Sequence, residues 1–264
     1  MEKAIVIYSL QHIPKDVYDY ERIYFGSEFC QLRIPNISEV KKIIEIAREG
    51  NIKLTMLTPI CSNNEIGKIE NILREYGNIL RQFDFEVVIN DWGMFDILEN
   101  YPYAVKVAGR SLLNYKKDPR FSKLPVVPDE MKYNEAQSEV MQDFLHEKGC
   151  TRIEFDNLEY LLNGLEKTKK FCFSVYLPYV CVTTTRLCRM QDGNLFDVEN
   201  GLRLYNVCDR KCEKYLLELQ NEDIGEKIYV RGNTQYFQTK VFSTKWYELH
   251  GINRLIFDDI KVVV

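Results

Sequence analysis

Eight short runs of β-branched and aromatic residues, separated by longer segments with helical spacing, set the tightest limit on what this chain can fold into. They are residues 4–9, 22–25, 53–58, 85–90, 104–108, 152–156, 171–176 and 254–258. Strands that alternate with helices build parallel sheets, because a parallel pair needs a crossover long enough to hold a helix. Eight such units in 264 residues match one α/β barrel of about 250 residues. The expected fold is therefore α/β: a TIM-like (β/α) barrel, regular, distorted or incomplete, as a single domain over residues 1–264.

The helical segments carry legible ends. Residues 37–49 open with Asn36-Ile37-Ser38-Glu39, an N-cap pattern, and stop at Gly50; residues 65–76 stop before Gly77 and residues 134–148 before Gly149. In the first, Ile37, Val40, Ile43, Ile44 and Ala47 form one apolar stripe, which leaves Lys41, Lys42, Glu45 and Arg48 to water. Two stretches break the alternation. Residues 114–133, with Pro119, Pro125 and Pro128, read as a long loop, and residues 178–206 as a second irregular segment. Alternating runs at 227–231 and 234–242, joined by Gly232-Asn233, predict an antiparallel C-terminal hairpin, residues 227–242, added to the barrel.

Charge and hydropathy narrow the partners. A net charge of -4 with scattered basic pairs gives no support for nucleic acid. The amino-terminal apolar run is too short for a signal-peptide core, and the longest apolar stretch, 171–182, falls short of the roughly 20 residues that span a bilayer, so a cytoplasmic protein without a membrane segment is expected. In a reducing compartment eight cysteines do not imply disulfides, and clustered thiols point instead to metal or redox chemistry.

In parallel barrels functional groups gather at the carboxyl ends of the strands. The polar residues there are 26–33, Asn90 and Asp91, Gly109 and Arg110, Asp156 and Asn157, and 183–188. Topology thus brings Cys30 to the face that also carries Cys181, Cys188, Cys208 and Cys212, whose segment, residues 178–212, reads as a cysteine-bearing loop. Cys181 and Cys188 have six residues between them, Cys208 and Cys212 three. Four thiolates suffice for a [4Fe–4S] cluster, whereas structural zinc prefers two tight Cys-x2-4-Cys pairs. Spacing favours the cluster and leaves zinc and unligated thiols open. Cys61, Cys150 and Cys172 stand alone and read as small hydrophobes.

Gly26-Ser27-Glu28-Phe29-Cys30-Gln31-Leu32-Arg33, the run Val87-Val88-Ile89-Asn90-Asp91-Trp92-Gly93, the segment from Gly109-Arg110-Ser111 to Asp118-Pro119-Arg120, and the turn 183–188 followed by Cys208 and Cys212 occur in that order. Together they resemble the collagenase-like "U" peptidase family, and within it the short iron–sulfur members of the UbiV type, over residues 1 to about 215. The resemblance implies a β/α barrel with a [4Fe–4S] cluster on four cysteines, here Cys30, Cys188, Cys208 and Cys212, with Cys181 as the alternative fourth ligand. It also implies a subunit of an oxygen-independent hydroxylation system that takes oxygen from an organic acid such as prephenate. Such a subunit works with a heteromeric partner of the same family, either as an enzyme or as a non-catalytic cluster carrier.

The family's other activity, peptide hydrolysis, finds no Gly-x-Ser-x-Gly elbow or His-Glu-x-x-His pair here, and His12, His146 and His250 are dispersed. An acid with two carboxylates calls for guanidinium forks. Arg110, Arg120 and Arg186 lie in suitable loops, and with Asn90 and Asp91 they make the candidate substrate-binding set. Each has a competing structural role. An arginine after a barrel strand commonly pairs with a neighbouring carboxylate, and Asn90 or Asp91 suits the cap of a helix over 92–98. Asp91 and Asp156 are a conceivable acid–base pair, but no residue is marked as catalytic by sequence.

Overall fold

A computed structural model of the chain describes residues 1–11, 13–188, 190–191, 208–220 and 222–260. Its strands are β1 Glu2–Ile7, β2 Arg22–Gly26, β3 Lys53–Leu57, β4 Glu86–Ile89, β5 Val105–Ala108, β6 Cys150–Asp156, β7 Cys172–Leu177, β8 Tyr179–Thr184, β9 Leu217–Leu219, β10 Ile228–Arg231, β11 Thr234–Gln238 and β12 Ile252–Phe257. Strands β1 to β7 and β12 close into a parallel barrel in the order β1-β12-β7-β6-β5-β4-β3-β2. The α-helices are α1 Ile37–Gly50, α2 Asn63–Leu80, α3 Met94–Leu98, α4 Glu139–Glu147, α5 Glu159–Leu162 and α6 Thr244–Leu249. Among the described residues no helix is long and apolar enough to cross a membrane.

Period-two alternation sorts the barrel's side chains. Val6, Tyr24, Leu57, Val88, Val107, Tyr176 and Ile256 pack together inside it, while Ile5, Ile23, Val87, Ile153 and Val175 join the outer core against the helices. The amino end of the interior is charged rather than apolar. Arg22 and Arg254 both bond Glu2, Arg254 also grips Glu86 at 2.6 and 2.9 Å, and Tyr24 and Tyr176 each donate to Glu154 at 2.7 Å. This closed network ties β1, β2, β4, β6, β7 and β12 in register and leaves chemistry to the opposite end.

All eight barrel strands fall where the periodicity placed them, and α1 has the anticipated capping box between Asn36 and Glu39. Three segments differ. Helix α2 continues through Gly77 to Leu80, because that glycine is a packing position: a Cβ there would sit 2.7 Å from the Tyr103 hydroxyl, which donates to Leu73 O at 2.6 Å. Helix α4 starts only at Glu139, since the Asn134 side chain accepts from Ala136 N and closes a separate 3-10 turn, Glu135–Gln137. Most consequential, the segment from 178 is not irregular at its start. β8 pairs antiparallel with β11, and the hairpin β10–β11 belongs to a four-stranded sheet of order β8-β11-β10-β9. Within this loop, residue 189 and residues 192–207 lie outside the described residues.

Candidate functional site

The loop after β2 is aimed by Gly26, whose φ of +102° and whose ideal Cβ position 2.6 Å from Leu57 O leave room for glycine alone. Ser27 Oγ then accepts from Cys30 N at 3.1 Å, and Gln31 Oε1 accepts from Ser62 N at 2.7 Å, which fastens the loop to its neighbour after β3. Cys30 so held lines a cavity of about 170 Å³ at the carboxyl end of the barrel, together with Cys188, Cys208 and Cys212. None of the four is in a disulfide.

The appended sheet completes this cavity. Gly232, at φ +63° in the two-residue turn between β10 and β11, lies with its ideal Cβ position 3.3 Å from Cys212 Cβ. Asn233 donates to Phe29 O at 2.8 Å and to Thr185 O at 2.6 Å, so the hairpin tip clamps the β2 loop to the end of β8. Burial pushes up the thiols of Cys30 and Cys212, and that of Cys188 to about 11. Neighbouring sulfurs add to this, Cys212 and Cys208 acting on Cys30 and Cys208 acting on Cys212, while Arg33 opposes it at both and Arg231 at Cys212. Arg33 bonds Tyr8 O, its guanidinium lies 5.3 Å from the Tyr8 ring, and its buried Nε has no hydrogen-bond partner among the described residues. Arg231 donates to Cys212 O and Ile260 O, both at 2.9 Å. Among the described residues, no group of three or more His, Cys, Asp or Glu side chains is arranged to hold a single metal ion.

Cys181 stands elsewhere. It is buried on β8 among Tyr179, Tyr229 and Tyr236, its thiol is pushed up to about 12 by that burial, and it is not part of the cavity lining. Its N–H donates to Asp156 Oδ1 at 2.9 Å.

Beside the cavity lies a buried charge cluster centred on Arg110, which is 0% exposed. Its guanidinium grips Glu28 at 2.9 and 2.8 Å, Asp156 at 2.9 Å and Asp258 at 3.3 Å, also donates to Tyr179 O at 3.2 Å, and rests 3.8 Å from the Tyr176 ring centre. Lys117 bonds Asp156 at 2.9 Å. Of the remaining candidates, Asn90 spans Thr58 O and Ser111 N at 3.0 and 3.2 Å, and Asp91 accepts from Cys61 N and Gly93 N at 3.1 and 3.0 Å. Both thereby fasten neighbouring βα loops. Arg120 pairs with Asp118 on the exposed loop, and Arg186 is exposed at the cysteine cavity. Glu28 and Arg33 were legible only as members of the 26–33 strand-end segment, and Lys117, Asp258 and Arg231 carried no functional signal in the sequence beyond places at strand ends or in loops.

Three carboxylates share two cations here, and the acids divide accordingly. Burial raises Glu28 from 4.5 to about 7 against the pull of Arg110, and it raises Asp258 too, whereas Lys117 and Arg110 overcome burial at Asp156 and lower it. Between about pH 4.5 and 7 the folded state therefore keeps a proton on Glu28 that the unfolded chain has released, so stability falls as pH rises through this window. The expected loss is about 3 kcal/mol. Glu2, lowered to about 2 by Arg254 and Arg22 in spite of its burial, acts in the opposite sense and below this window. Urea denaturation at both ends of the window checks the point: Glu28→Gln should flatten the decline, and a native chain equally stable at both would contradict it.

No family model matches this chain, and no curated protein matches it. Among solved structures it is similar to the U32 peptidase Mk0906, with a TM-score of 0.53 and 13% identity over 97% of this chain and 92% of that one. A glycoside hydrolase family 18 N-acetylglucosaminidase from Paenibacillus barengoltzii aligns at TM-score 0.33 and 10% identity over 97% and 94% of the two chains. The immunomodulatory active chitinase TsES1 from Trichuris suis aligns at 0.34 and 8% over 97% and 91%. The first of these shares the barrel fold.

Proposed function

We propose that this chain is an iron–sulfur member of the collagenase-like U32 family, with Cys30, Cys188, Cys208 and Cys212 as ligands of a [4Fe–4S] cluster. One observation carries the proposal: thiols from the β2 loop, from beyond β8 and from the turn before β9 line a single cavity. The donor set suits a cubane, whose four ligands attach to separate corners and so stand farther apart than those of a single ion. Thiols that raise one another's pKa are also those that a bound cationic core would draw into the thiolate form. A bound cluster would supply one-electron transfer or a Lewis-acidic iron. The chain's own residues do the rest. Arg33 and Arg231 offset thiolate charge, and the Gly232-Asn233 tip shields the cavity from water.

In this reading the protein is a cytoplasmic subunit of an oxygen-independent hydroxylation system, paired with a second family member and using an organic acid such as prephenate as oxygen donor. Arg186 is the candidate for the donor's carboxylates, because it lines the cysteine cavity while Arg110 is engaged with three carboxylates and Arg120 with Asp118. Peptide hydrolysis is supported by the name of the similar structure alone. Protein purified without exposure to air is expected to hold about four iron and four acid-labile sulfide per chain, with broad visible absorption. Stoichiometric zinc without sulfide would overturn the proposal.

A further inference from the structure

Arg210 stands between Cys208 and Cys212 with φ +56° and ψ +33°, a left-handed conformation that a side chain with a Cβ adopts at a cost. Asn51 and Asp84, the other described non-glycine residues at positive φ, are of types that tolerate it, whereas an arginine stays there only where its surroundings hold it. Its side chain shows what does so. Nη1 donates to Glu39 Oε1 at 2.6 Å, across 171 residues of chain, while Glu39 Oε2 accepts from Asn36 N at 2.7 Å in the capping box that opens α1. The turn closes on Arg210 O, which accepts from Glu213 N at 2.9 Å. Glu213 Oε1 lies 3.7 Å from a guanidinium nitrogen of Arg210 and of Arg33, and its Oε2 accepts from Ser9 Oγ at 3.1 Å. Arg33, Glu39, Arg210 and Glu213 line a recess of about 40 Å³, room for little more than a water, so these charges serve one another rather than a ligand.

We propose that the Arg210–Glu39 pair, with Glu213 bridging to Arg33, is the joint that positions Cys208 and Cys212 against Cys30, which makes Arg210 and Glu39 positioning residues for the cluster. The assignment rests on the cluster reading above. Its basis is where the partners sit. Arg33 belongs to the loop that carries Cys30, and its N–H donates to Cys30 O at 3.0 Å; Glu39 lies in the first turn of α1, the helix that this loop enters. The ion pairs therefore join the two segments whose thiols must meet on one cluster. From the other side Arg231 donates to Cys212 O at 2.9 Å and Gly232 abuts Cys212, so the joint fixes the face of the turn that the hairpin leaves free. With side chains 33% and 27% exposed, the Arg210–Glu39 pair adds little to the stability of the whole fold, and its effect should be local.

Alkylation of the cluster-free full chain by iodoacetamide, mapped by mass spectrometry, reads the joint without a cluster. Cys212, 6% exposed, reports on the turn, and Cys172, exposed at the amino end of β7, is the reference thiol. Glu39→Gln keeps a capping residue at the start of α1, and Arg210→Gln removes the guanidinium. Each should speed Cys212 alkylation roughly three- to fivefold relative to Cys172, and the double variant no more than either alone. A mere charge effect on the thiol would move the two single variants in opposite directions, since one loses an anion and the other a cation. Arg210→Gly should also speed it, although glycine suits a left-handed backbone better. In cluster-loaded protein the half-life of the visible absorption under a ferrous chelator should shorten by a similar factor in the same variants, while urea midpoints of the cluster-free chains stay near that of the parent. Unchanged or oppositely shifted Cys212 rates, a double variant that adds the two singles, an intact half-life despite a faster Cys212, or midpoints that fall enough to explain the faster alkylation would each overturn the assignment. A parent lacking iron and sulfide overturns the cluster reading and this role with it, whereas failure of the alkylation arm alone overturns only the joint.

Discussion

Replacing Cys30 by alanine is expected to abolish or convert the cluster in anaerobically prepared protein, while Cys181→Ala keeps iron content and visible spectrum near those of the parent. The two residues differ in what surrounds them. Cys30 is anchored by Ser27 and by a loop that Gly26 alone can direct, and its side chain lines the cavity with three other thiols. Cys181 is a small apolar side chain in a strand, 3% exposed and packed among tyrosines. Losing one of four thiolates leaves a corner of the cluster to water or an exogenous ligand, which favours loss or conversion to a three-iron form. Losing the Cys181 sulfur leaves a small cavity, a cost of about 1 kcal/mol in stability and none in ligation. Iron and sulfide analysis of both variants decides the matter. An intact cluster without Cys30 and a lost one without Cys181 would move the fourth ligand to β8.

Arg110→Met is expected to destabilise the barrel by about 3–5 kcal/mol at neutral pH, the usual cost of removing one partner from a buried ion cluster. Against a total of about 5–15 kcal/mol this would leave the fold marginal. The reason is charge: Glu28, Asp156 and Asp258 converge on one guanidinium, and Lys117 bonds only Asp156 among them. Acidification should relieve the variant, since protonated carboxyls no longer repel, so its deficit relative to the parent should shrink at pH 5. Arg110→Lys keeps a charge but not the fork that grips Glu28 through two N–H groups, and should fall between. Denaturant midpoints at the two pH values measure all of this. A loss under 1 kcal/mol for Arg110→Met, or a deficit that grows with acid, would show that the cluster does not depend on its arginine.

Arg110 and Arg120 differ in what decides their roles. Both follow the fifth strand in sequence and both carry the same fork. One is sealed under three carboxylates contributed by β6 and by the segments after β2 and β12, and the other pairs with the aspartate two residues before it on the surface. Only the partner of Arg120 is local; the partners of Arg110 lie 82, 46 and 148 residues away, where no local pattern points to them. The hairpin is a similar case. Its turn chemistry was legible in Gly232-Asn233, yet its role as a wall of the cysteine cavity arises from pairing with β8, a strand disguised by the proline before it and by its run into β7.

The barrel itself was determined by the sequence, because alternation of period two and period 3.6 is a local property that fixes which face of each element is buried. Eight such strands with crossovers between them leave few ways to close. The gathering of Cys30 with Cys188, Cys208 and Cys212 followed from that closure in outline, since strand ends meet at one mouth. The tertiary structure alone decided that Cys181 is absent from the lining of their cavity, that Asn90 and Asp91 fasten loops, and that Asp258 joins Glu28 and Asp156 on Arg110. Those outcomes depend on distances between segments far apart in the chain, and pattern along a chain carries no distance across it.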